Sequence, residues 1–490
     1  MLITSVIKHN DASVIETTRA FLESLLPQAV AAGASSTAAP LKGQSGGGGD
    51  AAAASSTSAN SGAKNKKKRQ AQNKRKAAAM KERALLLARL ELAKQTSEAQ
   101  LQDGTQDSQT MAQLIADYFE QFSAKRCAYE DLRPYAAILD SKQKRELRDL
   151  LQGAASPSTA LDDEPALVRQ INAHKLRRFL QDYSSASPES EIALAQEYFG
   201  AYLRGLPIGK DLPKTEMQPA DDLAFLSASA LVSARKLACD RNIDLTEENL
   251  QLFDAASILE YALRFSPKGY ILRLLLVRIC STLGAFNIAL DHFKQLGVRS
   301  VQQDSMSHWI FERSSAFASA DPDVKDALQD FSQVYADNEK ETPRFISQAF
   351  QLGNYSRVEE MVEFYECLRF SLNRQLLNKE RMLAFLSSGD VDGARAQAQE
   401  ILDALESIGS DRHQNTLHDQ RDFDIFPSYM PHGAPEVAEI VGTGPRPSTA
   451  HVRAFASFVL GKQGPEADST VSETGGPRLA QFLTCFWTNR

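Results

Sequence analysis

Between Tyr270 and Phe293 the chain reads YILRLLLVRICSTLGAFNIALDHF. Its apolar run, Ile271 to Cys280, is interrupted by Arg273 and Arg278 and falls far short of the roughly 20 residues a membrane span needs. The residues after that run are more telling. Gly284 is succeeded by Phe286, Ala289 and Phe293, the spacing of a helix–turn–helix repeat of about 34 residues. In such a unit small residues let two helix backbones approach, and large ones fill the groove between neighbours. Working back, Ala255, Leu259, Ala262 and Pro267 close a preceding unit. Working forward, Gly353 comes with Tyr355, Val358 and Val362, and Gly389 with Val391, Ala394 and Ala398. A degenerate unit falls between them, near Ser319, Val324 and Leu328. Four units in phase predict an all-α, tetratricopeptide-like solenoid of stacked helix pairs, each burying its face against its neighbours.

The helical period extends from Met111 to about Leu405 with no strand-like alternation. Breaks are expected near Pro134, Gly153 to Pro157, Pro188, Pro207 to Pro219, Pro267, Pro322 and Pro343. Four regions result: an isolated amphipathic helix within 1–30, a linker and basic run over 31–76, the solenoid over 77–408, and a less regular region over 409–490. The first rests on Val14, Ile15, Phe21, Leu22 and Leu25 at helical spacings. Ala31 to Gly62 is almost wholly Ala, Ser, Gly and Thr, a composition that cannot repay its ordering entropy and predicts a disordered linker. In the last region Pro427, Pro431, Pro435, Pro445 and Pro447 predict that packing gives way to an extended tail.

Charge is distributed unevenly. The chain has 490 residues with 55 Lys+Arg against 62 Asp+Glu. Eight of those cations, Lys64, Lys66, Lys67, Lys68, Arg69, Lys74, Arg75 and Lys76, lie together without an acid. An acidic body thus carries one concentrated basic element, followed without a breaker by the helix formers of Ala77 to Leu92. With no aromatic interleaved, the run suits phosphate backbones better than stacked bases. A solvated linker with no specific partner weighs as much as the two binding roles together, nuclear import and RNA-backbone contact. The five cysteines are scattered and lack any metal-ligand or disulfide spacing, which fits a reducing cytosol. No signal-peptide pattern opens the chain.

The search for chemistry finds little. Gly43 to Gly47 matches a nucleophile-elbow pattern by chance, since neither strand nor helix flanks it. Glu439 to Gly444 imitates a phosphate-binding glycine turn, but Pro445 removes a donor and Glu439 would repel the anion. His413 and His418 sit in a polar stretch and read as surface residues. There is no Walker loop and no HExxH, and no catalytic, cofactor or metal residues are assigned.

Beyond the repeats, Tyr270 to Gly297 and the following Val298-Arg299-Ser300-Val301-Gln302-Gln303-Asp304-Ser305-Met306-Ser307-His308 resemble the auxiliary, non-catalytic subunit of the NatB N-terminal acetyltransferase. Leu87 to Leu92, Tyr118-Phe119, Cys127 to Tyr135, Asn378 to Leu383, and Asp422-Phe423 with Phe426-Pro427-Ser428 are similar to it in the same order. The resemblance covers roughly Leu85 to Phe426. It implies a scaffold rather than an enzyme. Its partner would be a small catalytic subunit that binds acetyl-CoA and acetylates nascent chains beginning Met-Asp, Met-Glu, Met-Asn or Met-Gln, in the cytoplasm and beside the ribosome. The family's N-terminal repeats are largely absent before Val14, implying a truncated chain, and the Ala/Ser/Gly-rich and basic segment looks like an insertion. The alternative is a general helical-repeat adaptor of a nuclear or RNA-associated complex. Neither reading assigns a membrane contact or a small-molecule substrate to this chain.

Overall fold

The computed structural model of the chain describes residues 80, 82–95, 110–156, 161–241, 245–318, 321–410 and 417–462. Its helices are α1 (82–95), α2 (Met111–Phe122), α3 (Ala128–Ala136), α4 (Ser141–Ala155), α5 (Glu164–Phe179), α6 (Pro188–Gly205), α7 (Asp221–Asp240), α8 (Leu245–Phe265), α9 (Tyr270–Thr282) and α10 (Phe286–Leu296). Three short helices come next, α11 (Val301–Met306), α12 (His308–Phe311) and α13 (Ser314–Ala318). Then come α14 (Pro322–Gln351), α15 (Tyr355–Arg369), α16 (Leu372–Ser387), α17 (Val391–Ser410), α18 (Val437–Ile440) and α19 (Thr449–Val459). Among the described residues there is no strand, only one isolated bridge between Ser371 and His418. Successive helices pack as hairpins, giving an all-α solenoid.

The turn glycines explain the hairpins. Gly284, Gly353 and Gly389 all have left-handed φ, +78°, +73° and +81°. At each, the glycine amide donates to a carbonyl three residues back, and the next amide to one five back. This is the paired closure that satisfies the last carbonyls of a helix and favours a residue without Cβ. Prolines act at the other ends: Pro188 and Pro322 each open a helix, where the missing N–H is not needed. Pro134 and Pro343 do not break the chain as expected. Each lies inside a helix, α3 and α14. Glu339 and Pro343 are both exposed, so water can solvate the carbonyl that the proline leaves unpaired.

Most repeat positions are buried as their spacing predicts. Ala255, Leu259, Ala262, Ala289, Phe293, Ala394 and Ala398 have no exposed surface, and Val324 and Leu328 of the degenerate unit are buried, while Ser319 lies outside the described residues. Tyr355, Val362 and Val391 depart from this: they are 62%, 44% and 49% exposed.

The apolar residues form two cores. The larger runs from Leu86 to Val441; the smaller joins α16, α17 and α19 with Phe370 and Leu417. Helix α7 buries every residue from Leu223 to Ala234, and α9 every residue from Leu272 to Ser281. A helix buried all round must be covered on both sides. Neighbouring helices cover one side, and the other is covered by 417–447. The expected extended tail is therefore corrected. Pro427, Pro431 and Pro435 do exclude helix, but the segment is packed as a strap whose Phe426, Tyr429, Met430, Val437, Ile440 and Val441 belong to the larger core.

Candidate functional site

The strap and the helices that grip it form the most elaborate constellation of the molecule. Beside α16, the Leu372 amide donates to the His418 carbonyl at 2.8 Å, and the His418 amide to the Phe370 carbonyl at 2.9 Å. At α11 and α12, the Asp422 amide donates to the Ser305 carbonyl at 2.9 Å, and Trp309 Nε1 to the Asp422 carbonyl at 3.0 Å. Phe426 then packs on Trp309 and Phe225, with ring centroids 5.1 and 6.0 Å away. Tyr429 stands edge-on to Tyr129 and Phe225 at 5.3 and 5.8 Å, under Lys175 Nζ at 4.3 Å. Its hydroxyl donates to Asp222 Oδ1 at 3.1 Å. Tyr129 donates to the Ser428 carbonyl at 2.6 Å, and the His432 amide to the Phe179 carbonyl at 2.9 Å.

The chain then turns back. Arg278 donates to the carbonyls of Val441 and Trp309, and Arg313 to those of Thr443 and Pro445. Arg421 Nη2 donates to the Pro447 carbonyl at 2.9 Å, tying the two limbs together. Gly444 has φ of +130°, a conformation that side-chain-bearing residues rarely adopt, and an added Cβ would also come within 2.2 Å of Arg313 Nη1, so glycine is favoured here. The turn that imitates a phosphate loop thus presents carbonyls to an arginine, the reverse of an anion cradle. Where the strap lacks backbone partners, side chains from α3, α9, α12 and the α12–α13 turn supply them, as buried polar groups require.

Under the strap lies a buried polar cluster. Asp304 accepts from the hydroxyls of Tyr335 at 2.7 Å and Ser371 at 2.5 Å. Burial raises its pKa, and its neighbours' hydrogen bonds only partly offset that. His308 sits between Trp309 and Phe423, ring centroids 5.0 and 4.5 Å away, where burial holds its imidazole well below the usual range. In α5, burial brings His174 down to about 3. Arg178 and Glu191 form a fully buried pair at 2.7 Å. At the start of α7, burial pushes the Asp221 carboxyl up to about 7, against hydrogen bonds from Ser266 and the Gln218 amide. These groups lie on different helices and do not converge on a shared cavity; they are structural. Among the described residues no group of His, Cys, Asp and Glu could hold a metal, and no helix is long and apolar enough to cross a membrane.

The basic residues Lys64, Lys66, Lys67, Lys68, Arg69, Lys74, Arg75 and Lys76 lie outside the described residues, as do Gly43 to Gly47, Val14 to Leu26 and His413. What the structure does fix is the helix next to the basic run. Arg83 donates to Asp131 through Nη2 at 2.6 and 2.7 Å and through Nε at 3.0 Å, and its Nε also reaches the Tyr118 hydroxyl at 3.1 Å. His418 is corrected: it is half-buried, held by both its backbone groups, with Nε2 out of solvent. Sequence reading quoted Phe423 and Phe426 for the resemblance without their packing role, and missed Tyr429 and Met430. Their density of large apolar side chains among prolines was the available signal.

A helical-repeat body clasped by its own strap is the kind of solenoid that presents long surfaces to neighbours. The chain matches the family described as "N-acetyltransferase B complex (NatB) non catalytic subunit" over residues 50–423. It belongs to that family. It is 27% identical over 359 residues to "N-alpha-acetyltransferase 25, NatB auxiliary subunit" of Homo sapiens, covering 70% of this chain and 35% of that protein. It is 28% identical over 330 residues to the protein of the same name from Rattus norvegicus, covering 65% and 33%. The "N-terminal acetyltransferase B complex subunit arm1" of Schizosaccharomyces pombe is 25% identical over 343 residues, covering 68% and 39%. The chain thus spans about a third of the length of the curated relatives it matches. A chain of the solved structure described as "The NatB Acetyltransferase Complex Bound To CoA and MES" aligns with 77% of this chain and 43% of its own length, at 16% identity and a TM-score of 0.47.

Proposed function

We propose that this chain is the non-catalytic scaffold of a NatB-like N-terminal acetyltransferase. It holds a small catalytic subunit that binds acetyl-CoA, and places it at the ribosome in the cytoplasm, to acetylate nascent chains beginning Met-Asp, Met-Glu, Met-Asn or Met-Gln. The observation that carries this reading is the family match over residues 50–423. The scaffold character of the body supports it, since the strap fills one face and leaves the outer helices for a partner. Co-purification tests it: a tagged full chain recovers an acetyltransferase subunit, and recovery of none would overturn the proposal.

Ribosome placement rests on the basic run. Neutralising several phosphates releases counterions, so binding should weaken steeply with salt. Without those eight cations the chain carries 47 against 62 acids and would be repelled by RNA. In ribosome co-sedimentation across a salt series, a variant with Lys64, Lys66, Lys67, Lys68, Arg69, Lys74, Arg75 and Lys76 changed to Gln should pellet far less than the unmodified chain at low salt. Equal pelleting would remove the basic run from the mechanism.

A further inference from the structure

Between Tyr335 and Leu368 the α14–α15 hairpin adds no buried residue to either core. On α15 only Leu368 is buried. Towards the tip, Phe350, Leu352, Tyr355 and Val362 are 60%, 73%, 62% and 44% exposed, and the rings of Phe350 and Tyr355 meet at 5.2 Å. Tyr355, Val358 and Val362 hold the offsets from Gly353 that Phe286, Ala289 and Phe293 hold from Gly284. After Gly284 that stripe is met by helices. Phe286 lies on Phe317 of α13 and Phe293 on Phe331 of α14, with ring centroids 6.5 and 5.7 Å apart. The third hairpin, α16–α17, is covered by α19. Over the α15 stripe no helix packs among the described residues. So dense a group of large exposed apolar side chains marks an interaction site.

We propose that this stripe docks a basic amphipathic helix of a partner protein. The helical form follows from the two sister hairpins, each of which is covered by helices. Large exposed side chains call for an apolar stripe on the partner, spaced i, i+3, i+4 and i+7. Charge fixes the rest. Residues 336–366 carry seven Asp+Glu against three Lys+Arg. Glu359, Glu360 and Glu363 are exposed, and none of the three has an ion pair among the described residues, while Glu366 has Arg369 at 3.8 Å. Glu363 stands four residues from Glu359 and three from Glu360, spacings at which like charges oppose a helix. Cations brought by a partner relieve that repulsion while its apolar side covers Phe350, Tyr355 and Val362. An acidic helix adds to it. A second copy of this chain is a poor occupant for the same reason, since pairing like hairpins about a two-fold axis sets carboxylates against carboxylates. This surface stands apart from the acetyltransferase reading, because it rests on the hairpin alone.

The probe is a fluorescein-labelled peptide of about 18 residues, with Leu at i, i+3, i+4 and i+7 and Lys elsewhere, long enough at roughly 1.5 Å per residue to span α15. A second peptide has Glu for Lys, and a third scrambles the Leu/Lys order. At physiological salt the Leu/Lys helix should bind the full chain at least tenfold more tightly than either, and should slow hydrogen exchange in α15 from Val358 to Phe364. Phe350→Ser, Tyr355→Ser and Val362→Ser together should weaken it at least tenfold. All three positions are exposed, and unchanged exchange in α7 and α9 checks that the body stays folded. Glu359→Lys, Glu360→Lys and Glu363→Lys together should shift the preference at least tenfold towards the Leu/Glu peptide. Equal affinity for the Leu/Lys and Leu/Glu helices would overturn the proposal, as would full binding by the triple Ser variant or protection elsewhere than α15. Protection of α15 equal to that of α17 in the dilute chain alone would assign the stripe to a segment of this chain. Protection that rises with chain concentration would assign it to a second copy, and either result would also overturn the proposal.

Discussion

The hairpins α14–α15 and α16–α17 share a turn and differ in almost everything else. Gly353 and Gly389 adopt φ of +73° and +81° and close their helices with the same pair of hydrogen bonds. Yet α17 buries Ala394, Ala398, Ile401, Leu402, Leu405 and Ile408, whereas α15 buries only Leu368. The cause lies outside the hairpins. Val452 and Ala456 of α19 lie over α17, each fully buried in the smaller core, while among the described residues no comparable helix lies over the tip of α14–α15. A turn specifies that two helices pair. What covers their outer face decides whether the pair becomes core or surface.

The largest expected effect comes from uncovering the buried pair. Val452→Asp puts an unpaired carboxylate at a site with no exposure and should cost about 4 kcal/mol or more in a denaturant melt. Val362→Asp, at 44% exposure, should cost less than about 1 kcal/mol. Similar losses would mean that α15 is as firmly covered as α17. A smaller effect should be the same in both hairpins. Gly353→Ala and Gly389→Ala each force a Cβ into the left-handed region, at about 1–2 kcal/mol. Neither added Cβ meets another atom within 4 Å, so unequal losses would show that the turns are not equivalent.

A further effect separates the body from the hairpin by pH. Burial holds the folded-state pKa of Asp221 above its ordinary 3.8, at about 7. The folded chain therefore binds the proton more tightly, and this contribution to stability is lost as pH rises through that window. Asp221→Asn keeps an acceptor for Ser266 and cannot ionise. Melts at pH 5 and pH 8 should show a smaller fall in stability for the variant, and an equal fall would place the titrating group elsewhere.

Much of this was legible in the chain, for identifiable reasons. Gly284, Gly353 and Gly389 announce their turns because a left-handed residue after a helix strongly favours glycine. The apolar run in α9, interrupted only by Arg273 and Arg278, fits its burial on all sides. The strap was not legible. Its prolines exclude helix but say nothing of packing, and its hold on Tyr129, Phe179, Phe225 and Trp309 is a contact between residues hundreds of positions apart or nearly so. Pro343 misleads because proline's cost in a helix depends on whether water reaches the freed carbonyl. Exposure of Tyr355 and Val362 could not be read either, since their spacing matches that of buried counterparts. As for the site, the scaffold role could be read from the repeats, but the strap that closes one face appears only in three dimensions.

Hydrogen exchange resolved along the full chain tests the central contrast most directly. It reports the free energy of opening for each helix. If cover rather than turn sets the fate of a hairpin, amides of α17 from Ala394 to Leu405 should exchange only through the deepest opening, together with those of α7 and α9. Amides of α15 from Val358 to Phe364 should exchange at least tenfold faster, through a local opening that leaves the body closed. Equal protection of α15 and α17 would contradict the account.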